Sequence, residues 1–145
     1  MGGPSGLSIP APVVIDASVW VAFFLTADIN YAASYNWIDR HTSAGGMVVG
    51  PSIVLTEVAS AISRRLTQFQ LAIHAAQTIS RLALMRIVPM DSTLIWEATD
   101  ISARFGLRGG DSIYVATAKQ LNLPLLTWDR EQLTRPISII GTMHP

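Results

Sequence analysis

Apolar and polar positions follow two rhythms along this chain. Short unbroken apolar runs recur at intervals, and between them lie longer stretches whose apolar residues repeat every three or four positions. The first rhythm suits strands covered on both faces, the second amphipathic helices. "VVI" at 13–15 predicts a buried strand ending at Asp16, with Ser18 placed to cap the helix that follows. "NYAASYNWIDRH" predicts a second helix. "GGMVVGPS" predicts a turn and a short strand, with Pro51 opening the next helix, where proline is tolerated. "PSIVLTEVASAISRRL" and "QFQLAIHAAQTISRLAL" predict two helices parted near Thr67, and "MRIVPM" a strand. Asp91 is placed to cap "STLIWEATDISARFG", which stops at Gly106. "DSIYVATAKQL" predicts a helix, "LPLLTW" a strand, "DREQL" a helical turn and "ISII" a last strand.

Strands alternating with helices or helix pairs predict an α/β domain with a mainly parallel sheet. It occupies residues 13–145; residues 1–12, rich in Gly, Pro and Ser, read as a flexible N-terminal arm. At 145 residues the chain is long enough to bury a core without a staple. It has no cysteine, which excludes a disulfide scaffold, a thiolate zinc site and a cysteine nucleophile, and is compatible with a reducing cytoplasm. No apolar run is long enough for a transmembrane helix.

Charge changes the picture in one respect. Net charge is zero, so long-range attraction to nucleic acid is not written into the whole chain, although nine of the ten basic residues are arginines able to fork onto phosphate. Charged residues make up only 14% of the chain, against roughly 25–35% for the surface of a small soluble domain. Part of the surface is therefore expected to meet another subunit or partner.

Four acids stand against this apolar background. Asp16 falls at the carboxyl end of the first buried strand, where open parallel sheets bind ligands; its plainer role is a turn or helix cap. Glu57 lies three or four positions from Ile53, Val54 and Ala61, on or beside the buried stripe of its helix. A glutamate there is rare unless it is ion-paired with an arginine or bound to metal. Asp111 starts a helix after Gly109 and Gly110 and is a favoured N-cap type. Asp129 follows a strand, and with Gln132 three positions on it resembles a capping box. Convergence of all four would be costly: two carboxylates 4 Å apart repel by about 4 kcal/mol at an effective dielectric of 20. A hard cation, Mg²⁺ or Mn²⁺, suits oxygen ligands without Cys or clustered His. Glu131 reads as a residue that suits the helix dipole, and Thr93, Glu97, Asp100 and Arg104 as a solvated stripe.

Three stretches together carry a family resemblance. "VVIDASVWVAFFL", "PSIVLTEVASAISRR" and "GGDSIYVATAKQLNLPLLTWD", in this order, resemble a PIN domain, and most closely the VapC-type toxin ribonucleases. The resemblance covers nearly everything from Val13 onward. It implies a three-layer α/β/α sandwich and a metal-dependent endoribonuclease. Asp16, Glu57, Asp111 and Asp129 would be its catalytic acids, holding Mg²⁺ or Mn²⁺, and Ser18 and Thr127 their supporting hydroxyls. It also implies a homodimer and a small antitoxin protein that blocks the site. Gly110 stands where the family often has alanine, with no expected effect on the chemistry. Arg108, beside the "GGD" turn, and Arg64 and Arg65, at the end of the Glu57 helix, are candidate RNA contacts. Two other readings compete: a catalytically inactive interaction module on the same fold, and a PIN nuclease that processes RNA without an antitoxin. A receiver domain ranks below them, because Asp16 has no acidic neighbour and the only lysine, Lys119, lies mid-helix.

Overall fold

The computed structural model describes residues 8–145. Residues 1–7 of the expected N-terminal arm lie outside the described residues, and 8–12 carry neither helix nor strand. The chain then runs β1 (Val13–Ile15), α1 (Ala17–Phe24), α2 (Tyr31–Ser43), β2 (Val48–Pro51), α3 (Ile53–Leu66) and α4 (Phe69–Arg81). It continues through β3 (Met85–Val88), α5 (Ser92–Phe105), α6 (Gly109–Leu121), β4 (Leu125–Leu126), α7 (Arg130–Thr134) and β5 (Thr142–Met143).

The five strands form one sheet in the order β3-β2-β1-β4-β5, with every neighbouring pair parallel. β1, β2 and β4 are buried along their whole length, which is why their sequences read as continuous apolar runs. Crossovers from β1 to β2 and from β2 to β3 step one way across the sheet; those from β3 to β4 and from β4 to β5 step the other way. Right-handed connections then place α1–α4 on one face and α5–α7 on the other, giving three layers. The chain leaves β1 and β4 in opposite directions, so a crevice opens between their carboxyl ends.

Several local signals act as predicted. Asp91 caps α5 by accepting from the Leu94 N–H at 2.8 Å, and Gly106 ends that helix in the left-handed region at φ 65°. Thr67, at φ 52°, separates α3 from α4. Four expectations need correction. Pro51 closes β2, and the helix begins after Ser52; a proline at the strand end gives up little, because the Ser52 N–H takes the Val88 carbonyl. The cap of α1 is Asp16, and Ser18 lies inside the helix. α6 starts at Gly109, two residues before Asp111, which leaves Asp111 in the first turn. "ISII" at 137–140 is a run of turns in which Ile140 is buried; the edge strand is Thr142–Met143.

Candidate active site

Asp16 leaves β1 at the crevice and is 4% exposed. Its Oδ2 accepts from the Ser18 hydroxyl at 2.6 Å, the Thr127 hydroxyl at 2.9 Å and the Ser18 N–H at 3.3 Å. Each hydroxyl has one proton and both are spent on Asp16, so the 3.5 Å approach of Ser18 Oγ to Thr127 Oγ1 is contact without donation. Their lone pairs are used as well. The Trp128 N–H donates to Ser18 Oγ at 3.1 Å, and the Asp129 N–H to Thr127 Oγ1 at 3.0 Å. The start of α1 and the segment after β4 are thereby locked together around one carboxylate oxygen.

Asp129 caps α7, its Oδ1 accepting from the Gln132 N–H at 2.9 Å. This is the forward half of a capping box. The return half is absent: the Gln132 side chain, 1% exposed, donates instead to Asp111 Oδ1 at 3.1 Å, and its Oε1 is buried without a partner. Gln132 thus touches two of the four acids. Glu131, read from sequence as an ordinary helical acid, lies with them. One carboxylate oxygen each from Asp111, Asp129 and Glu131 fall within 4.8 Å of one another.

Glu57 reaches the cluster from α3, half-buried. Its Oε1 accepts from the Tyr114 hydroxyl at 2.5 Å. No arginine pairs with it among the described residues. Burial raises its pKa, the Asp16 charge adds to this, and the Tyr114 hydrogen bond opposes it. Asp111 is pushed up to about 6, first by burial and then by the charges of Asp16, Asp129 and Glu57; Arg108 alone pulls the other way. The four acids expected from the sequence therefore act on one another as a group.

The arginines divide. Arg108 is exposed, and its charge reaches Asp111. Arg65 is engaged by Asp28 at 2.6 Å. Arg64 is exposed seven residues beyond Glu57, about 10 Å along the helix axis. Glu97, assigned above to a solvated stripe, pairs with Lys119 of α6 at 2.5 Å. Tyr114 and Gln132 were missed as site residues. The spacing held a signal for Tyr114, which lies three after Asp111 and so shares its helix face.

The donor set fits a hard cation. All candidate donors are oxygens, and the 4.8 Å spread of Asp111, Asp129 and Glu131, a group that does not include Asp16 or Glu57, matches oxygens gathered round one ion at about 2.0–2.6 Å. The arrangement is that of a parallel α/β domain with an acidic cluster at its switch point. The chain belongs to the PIN domain family, whose model matches residues 13–136. Solved structures with the same fold include the VapC20 toxin of Mycobacterium tuberculosis, a sarcin–ricin loop cleaving toxin. It is 18% identical over 83% of this chain and 92% of that one, with a TM-score of 0.72. VapBC2 from Rickettsia felis, bound to a promoter DNA fragment, is 12% identical over 92% and 98%, with a TM-score of 0.70. FitAcB from Neisseria gonorrhoeae is 17% identical over 90% and 96%, with a TM-score of 0.66. No match is found among curated proteins. No helix of the described residues is long and apolar enough to cross a membrane.

Proposed function

We propose that this chain is a divalent-metal-dependent endoribonuclease that hydrolyses RNA phosphodiester bonds, and the toxin of a type II toxin–antitoxin pair. The observation that carries the reading is the gathering of Asp16, Glu57, Asp111 and Asp129, where burial first and the charges of the other three acids second push Asp111 up to about 6. Acids gathered from β1, α3, α6 and the β4–α7 junction, with one arginine opposing, call for a cation. Asp16, Glu57, Asp111 and Asp129, joined by Glu131, would hold Mg²⁺ or Mn²⁺. When bound, such an ion neutralises charge on the phosphate and acidifies water.

The protein's own groups orient that chemistry. Ser18 and Thr127 fix one oxygen of Asp16 and leave the other for a ligand. Arg108, exposed beside Asp111, is placed to take a phosphate oxygen of the RNA, whereas Arg64 and Arg65 could meet only more distant phosphates. A toxin–antitoxin complex from Klebsiella pneumoniae among the structures of the same fold supports a small antitoxin partner. The low charge content supports a homodimer, and Trp96, 73% exposed on α5, is a candidate contact for either partner. A cytoplasmic location follows from this role.

The test is cleavage of structured and unstructured RNAs with Mg²⁺ or Mn²⁺, by wild type beside Asp16→Asn and Glu57→Gln. Both variants keep side-chain shape and remove ligand charge, so cleavage should fall at least about 100-fold. Equal trace cleavage by all three proteins would leave the inactive interaction module as the better reading.

A further inference from the structure

Helix α6 does more than supply Asp111. Tyr114 lies one turn beyond Gly110 on the same helix, and both face Glu57. The Tyr114 ring is fully buried, and its hydroxyl donates to Glu57 Oε1 at 2.5 Å, within the range of a charge-assisted bond. The other oxygen, Oε2, lies over Gly110, where a Cβ would approach it to 3.2 Å. One oxygen is thus held by a donor and the other has room because a side chain is missing. Glu57 would otherwise be a long, flexible side chain reaching towards Asp16 and Asp111 against their repulsion.

The geometry points to Tyr114 as a positioning residue: its hydroxyl, with the gap at Gly110, holds the Glu57 carboxylate in the orientation that the acidic site needs. This rests on the proposed metal-dependent activity for its consequence, though not for its geometry. The Asp16 charge and the Ala17 backbone also reach the hydroxyl, but its side-chain hydrogen bond is to Glu57 and to none of Asp16, Asp111 or Asp129, so it orients the site through Glu57.

The test is a double-mutant cycle of Tyr114→Phe and Glu57→Ala, which leaves the hydroxyl no carboxylate or amide to hold, read by calorimetric titration with Mn²⁺ and by RNA cleavage. Phenylalanine keeps the buried ring and removes only the donor. Loss of one hydrogen bond to a charged group should weaken Mn²⁺ binding about tenfold and lower kcat with KM for RNA little changed. In the Glu57→Ala background the same change should have no further effect on Mn²⁺ binding. Unaltered Mn²⁺ affinity in Tyr114→Phe, or an equal loss in both backgrounds, overturns the assignment. A Tyr114→Phe protein that does not fold also overturns it, because the hydroxyl would then be a requirement of the fold. If wild type itself takes up no Mn²⁺, the metal-dependent reading fails separately. A crystal structure of Tyr114→Phe then decides the positioning role: a displaced Glu57 carboxylate supports it, and an unmoved one overturns it.

Discussion

At the β1 side of the acidic cluster, Asp16 is buried and one of its oxygens takes hydrogen bonds from two hydroxyls and an N–H. At the α6–α7 side, Asp111, Asp129 and Glu131 are half-exposed and crowd within 4.8 Å. There Asp111 has one neutral donor, from Gln132, and its repulsion is relieved only in part by Arg108. The first side is desolvated, with one oxygen satisfied by donors and held in place. The second is crowded, and burial and like charge oppose its ionisation. The same residue type is structural cement at one end of a site and a stored repulsion at the other, and donors decide which.

The largest effect should come from breaking the satisfied side. Asp16→Ala orphans the Ser18 and Thr127 hydroxyls and should cost about 3 kcal/mol in urea unfolding with EDTA present. On the other side, Asp111→Asn should raise metal-free stability by about 1 kcal/mol. If Asp111→Asn lowers the urea midpoint, or Asp16→Ala leaves it in place, the contrast between the two sides is wrong.

A smaller effect should appear in the pH dependence of the metal-free protein. Asp111 ionises at about 6 in the fold, above its ordinary 3.8, so the native state binds the proton more tightly than the unfolded chain does. Stability from this group is present below about pH 4 and is lost as pH rises through 6. Its share is about 1 kcal/mol once solvent screening at a half-exposed carboxylate is counted. Unfolding series at pH 4 to 7 should show this slope in wild type and a shallower one in Asp111→Asn. Saturating Mn²⁺ should offset it, because metal competes with the proton.

The smallest change is Gly110→Ala, at a position where alanine was expected to make no difference. In the first turn of α6 the added methyl should stabilise the helix by about 0.5 kcal/mol. Its Cβ, at 3.2 Å from Glu57 Oε2, should push the carboxylate and slow RNA cleavage a few-fold. A rise in melting temperature with a fall in kcat is the expected outcome; a rise in both would mean Glu57 has room to adjust.

Much was legible before any coordinates. Apolar periodicity is local, and it placed every helix and four of the five strands within a few residues. The exception, "ISII", shows the limit. A short β-branched run serves a strand or a buried turn equally well, and the choice fell to Thr142 and Met143, which meet the register of Leu125 and Leu126. Asp129 and Gln132 show the limit within the site. The capping box was readable from their spacing and is half present, but the Gln132 side chain turned to Asp111, twenty-one residues away along the chain. Asp16, Glu57, Asp111 and Asp129 could be chosen as a set from strand ends, a buried helix face and a family pattern. Tyr114 on Glu57, Glu131 beside Asp111, and the sharing of Asp16 between Ser18 and Thr127 could not. The chain by itself determined which elements form and which acids sit at the carboxyl end of the sheet, because those depend on near neighbours. Tertiary structure alone decided which acids are satisfied and which stay crowded by like charge, because that depends on donors brought from up to 111 residues away.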